Sequence, residues 1–154
     1  MTKNTAIDFE KIHSMDKPSI IKFIRGVNSE GSKAAGYWEV NSYIFECAEP
    51  WIEKGDIDVI KEVIRRDFRI IAWEDELDHK IIFSRDLIIF SLQEIYRQQI
   101  KSTINELEYI SDQKLDHALI EEAFPEKDLL EKFIEFGINK FSRNFIKSFP
   151  WQDY

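Results

Sequence analysis

Apolar residues recur at every third or fourth position along most of this chain, and that spacing leaves few folds open. Ile57, Ile60, Val63, Ile64 and Phe68 trace one stripe; Leu87, Ile88, Phe90, Ser91, Ile95, Ile104, Leu107 and Ile110 trace another. On a helix each set falls on one side, which has to be buried against a neighbour. Gly and Pro number only five and four in 154 residues, too few for a loop-rich sandwich. The pattern predicts an all-α, single-domain compact bundle over 1–154, with about six to eight helices. Residues 1–15 read as a short docked helix or a frayed end.

Local punctuation sets the expected boundaries. Asp16 before Lys17-Pro18 predicts a helix start, because proline is tolerated in a first turn. Ser32 is placed to cap the next helix, which runs to about Lys54, with Pro50 late in it as a kink or an end. Gly55-Asp56 predicts a glycine C-cap followed at once by an aspartate N-cap. The spacing from Ser84 to Ile110 predicts one long central helix, ended by Ser111-Asp112. A short helix over Leu115 to Ala123 follows, then a last helix from Glu126 towards Phe149, apolar nearly all round its middle. Residues 68–83 hold two short apolar runs around Glu74-Asp75-Glu76-Leu77-Asp78-His79. Two helices joined by an acidic loop is the reading adopted there; a small β-hairpin is the alternative.

The formal charge is −8, with 29 acids against 21 Lys and Arg. A general nucleic-acid binder needs a basic footprint, and an anionic membrane surface attracts one, so the expectation is neither partner. Cys47 is the single cysteine, which precludes an intrachain disulfide and fits a reducing cytosol. Met1 to Asp8 contain no apolar signal core, and the run Ile81 to Leu92 is broken by Arg85 and Asp86. A cytoplasmic protein is expected.

Enzyme signatures are missing from the sequence. Gly26, Gly31 and Gly36 lack the Lys-Ser/Thr of a phosphate loop, and no Gly-x-Ser-x-Gly elbow occurs. Glu76 and His79 have the spacing of two metal ligands on one helix face, but a di-metal bundle needs a second such pair. Cys47 falls on an apolar helix face and reads as core filler. No catalysis, cofactor or metal is expected.

Charge pattern carries the remaining signal. Glu39, Glu46, Glu49 and Glu53 fall within an arc of about 80° on one helix, with no Lys or Arg among them. Like charges at this spacing cost an isolated helix about 0.2–0.5 kcal/mol per neighbouring pair. Glu74, Asp75, Glu76 and Asp78 form a second cluster, flanked by Trp73. Solvated helix faces normally mix signs. Basic residues gather instead at Arg65, Arg66 and Arg69 and at Lys140, Arg143 and Lys147. Those positions suit the negative ends of their helices, and Arg65 is also placed to neutralise the glutamate stripe.

A small, acidic, cysteine-poor domain with aromatics beside acids resembles the bacterial immunity proteins of contact-dependent growth inhibition and polymorphic-toxin systems. The resemblance spans the chain, rests on type rather than a shared motif, and transfers no residue. It implies a protein partner, the basic toxic domain of a delivered effector, often a nuclease, whose active site is blocked. The nine residues Glu39, Glu46, Glu49, Glu53, Trp73, Glu74, Asp75, Glu76 and Asp78 are the expected contact surface. The alternative is a helical scaffold or regulatory adaptor without a toxin partner.

Overall fold

Residues 16–26, 37–72 and 81–141 are described by a computed structural model, with side chains of the second stretch described from position 41 onward. Among these residues the structure is all-α, with no strand. The helices are α1 (Lys17–Gly26), α2 (Tyr37–Glu53), α3 (Ile57–Arg66), α4 (Arg69–Ala72), α5 (Arg85–Gln98), α6 (Ile104–Ser111), α7 (His117–Ala123) and α8 (Lys127–Gly137). The chain divides into two compact units, Met1–Ile81 and Ile82–Tyr154.

In the first unit α3 packs against both α1 and α2. Its inner face, Val59, Ile60, Val63 and Ile64, is almost wholly removed from water, as are Ile20 and Ile24 of α1 and Ile44, Ala48 and Ile52 of α2. Each such valine or isoleucine side chain contributes about 1.5–3 kcal/mol relative to exposure. Asp16 caps α1, its Oδ1 accepting from the Ser19 amide at 2.9 Å.

The turn between α2 and α3 follows the sequence expectation closely. Gly55 takes φ 76°, where a side chain would be strained. Its amide donates to the Ile52 carbonyl at 2.9 Å and the Asp56 amide to Trp51 at 3.0 Å, the paired bonds of a Schellman closure. Asp56 then caps α3 by accepting from the Val59 amide at 3.2 Å. Pro50 does not end α2, which continues to Glu53.

Asp67 closes α3, and Arg69–Ala72 is helical, so the hairpin reading fails over those residues. Asp67 is buried; it accepts from the Arg69 amide at 2.9 Å and from the Arg69 guanidinium at 3.0 and 2.8 Å. Trp73 to Lys80 lie outside the described residues.

The second unit corrects the expectation of one helix from Ser84 to Ile110. Ser84 caps α5 as its Oγ accepts from the Leu87 amide at 3.2 Å. The helix then stops at Gln98, and a 3-10 turn (Lys101–Thr103) leads into α6. Gln99 adopts the left-handed conformation, φ 57°. Its amide donates to Tyr96 at 3.1 Å and the Ile100 amide donates to Ile95 at 3.2 Å, so the chain closes as at Gly55 but without glycine. The apolar stripe continues across the break because both helices bury one side. Asp112, also left-handed at φ 53°, ends α6.

The last helix is likewise shorter than expected. α8 ends at Gly137 and tightens into a 3-10 turn (Ile138–Lys140), after which Phe141 is extended. A Cβ at Gly137 would stand 2.5 Å from Ile104 Cδ1, so a larger residue there would require the Ile104 side chain to move. This ending resolves the all-round apolar character of the segment. Phe141 leaves the helical path and returns edge-on to Phe133, with ring centroids 5.8 Å apart. Phe133 also stacks on Phe124 at 4.3 Å and meets Tyr96 edge-on at 5.8 Å. Such pairs are worth about 0.5–1.5 kcal/mol beyond the area they bury.

Candidate functional site

The outer side of α2 is the one expected surface whose geometry is described. The helix carries four glutamates and no lysine or arginine over Tyr37–Glu53. Ile44, Phe45, Cys47, Ala48 and Ile52 turn inward, leaving Glu46 and Glu53 exposed and Glu49 half-buried. Glu39 is within α2, but its side chain lies outside the described atoms. Glu49 and Glu53 engage other groups of the chain as well as solvent. Trp73, Glu74, Asp75, Glu76 and Asp78 lie outside the described residues.

The helix end sharpens the electrostatics. Glu53 is the last residue of α2, where unpaired carbonyls already make the helix terminus negative. On an isolated helix an acid there is unfavourable twice, by that dipole and by Glu49 and Glu46, one and two turns away. The nearest cation in sequence, Lys54, stands 4.7 Å from the ring centroid of Trp51 in a cation–π contact.

Cys47 adjoins this surface from the inside. Burial pushes its thiol up to about 12, with the neighbouring Glu46 charge adding to the shift. A thiol so disfavoured as thiolate is a poor nucleophile, in keeping with a core-filling role.

Sequence reasoning missed the buried carboxylate of Glu62. Its side chain is 4% exposed, and Oε1 accepts from Arg25 Nε at 2.9 Å, from Arg25 Nη2 at 2.6 Å and from Arg65 Nη1. The spacing of Glu62 and Arg65 was visible as an i,i+3 pair; burial and the reach of Arg25 from α1 were not. At the other end of α1, Lys17 pairs with Asp56 at 3.2 Å and Asp58 at 2.7 Å. Thus α1 is fastened to α3 at both ends. Of the basic run at the end of α3, Arg65 is held by Glu62 and Arg69 by Asp67.

Tyr109 was also not singled out. It is 74% exposed on α6, with Glu106 and Asp112 three residues to either side. Its position opposite Leu107 and Ile104 in the helical period was the available signal.

Among the described residues no group of three or more His, Cys, Asp or Glu is placed to hold a metal ion, and no helix is long and apolar enough to cross a membrane. No protein-family model, curated protein or solved structure matches this chain.

Proposed function

We propose that this chain is an immunity protein that binds a basic toxin domain, a nuclease by class, and covers its active site with an acidic and aromatic surface. The observation that carries the reading is α2, a helix with four glutamates, no cation and an acid at its negative end. On an isolated helix that arrangement is unfavourable, whereas a positively charged partner meets exposed carboxylates such as Glu46 with advantage. A nuclease is basic where it holds phosphates, so a carboxylate ridge acts there as a substitute polyanion. Trp73, Glu74, Asp75, Glu76 and Asp78 are the other proposed contact residues, with Trp73 the aromatic among them. The chain acts in the cytoplasm, where such a toxin would arrive, and has no catalysis of its own.

The test is co-purification with the toxin domain encoded beside its gene, followed by nuclease assays of the complex. Stoichiometric binding and loss of nuclease activity support the reading. A stable complex that leaves the nuclease fully active contradicts active-site coverage, and no complex at all contradicts the partner.

A further inference from the structure

We draw no further inference here: the strongest candidate, the surface patch on α6 where the 74% exposed Tyr109 has Glu106, Glu108 and Asp112 near it in sequence, carries nothing, because nothing in the structure shows what covers it.

Discussion

Gln99 takes a left-handed backbone that glycine adopts without strain, and it does so at the joint that separates α5 from α6. Its side-chain amide donates to the Tyr96 carbonyl at 2.6 Å, which supplies an acceptor's partner at the exposed helix end. That local bond offsets part of the backbone strain, about 1–2 kcal/mol for an L-residue in this region. Gln99→Gly is therefore expected to raise stability by about 1 kcal/mol in urea unfolding. A loss of stability would mean that the Tyr96 bond outweighs the strain. Cys47 gives a second residue-scale expectation. With its thiol pushed up to about 12, the thiolate is scarce at neutral pH. Ellman's reagent should label the native protein slowly and the unfolded protein fast; rapid native labelling would contradict a core position. Neither Gln99 nor Glu62 was legible beforehand. Glutamine carries no turn preference, and a glutamate among valines and isoleucines looks the same in sequence whether buried or solvated.

Among the elements, α1 and α2 respond most to charge. Lys17 holds Asp58 below its ordinary carboxyl range, chiefly by a hydrogen bond, and is itself raised by the same bond and by Asp56. Asp58 has a depressed folded pKa, so its contribution is present above 3.8 and lost as pH falls through the folded value. Lys17 has a raised one, so its contribution is present below 10.5 and lost as pH rises through the folded value. Melting of wild type and Lys17→Met should differ at neutral pH and converge at both extremes. A difference that persists in strong acid would contradict the pairing. On α2, Glu53→Lys replaces an acid at the negative helix end with a cation. It should stabilise the protein by about 0.3–1 kcal/mol, read as a higher Tm; a lower Tm would show that Glu53 stabilises the fold through its own contacts. Caps were the legible part of this scale. Asp16, Gly55-Asp56, Ser84 and Asp112 each act through bonds within a few residues. The end of α8 was not legible: Gly137 passes close to Ile104 of a helix distant in sequence, and the chain there tightens into a 3-10 turn.

For the whole molecule, the all-α class followed from helical periodicity that every described segment obeys, while the division into Met1–Ile81 and Ile82–Tyr154 left no mark in composition. The candidate surface was legible as a charge pattern on one helix and no further, since solvent exposure depends on what the rest of the chain covers. At this scale the charge of −8 sets how the protein meets others. Positive partners are drawn in from a distance and like-charged ones turned away, with an effect that salt screens. The most direct measurement is the association rate with the proposed partner, a basic toxin domain, taken across salt for wild type and for the Glu46→Lys, Glu53→Lys double variant. The account predicts a wild-type rate that falls steeply with salt, and a double variant at least about tenfold slower at low salt while still folded. A folded double variant that associates as fast as wild type at low salt would contradict it.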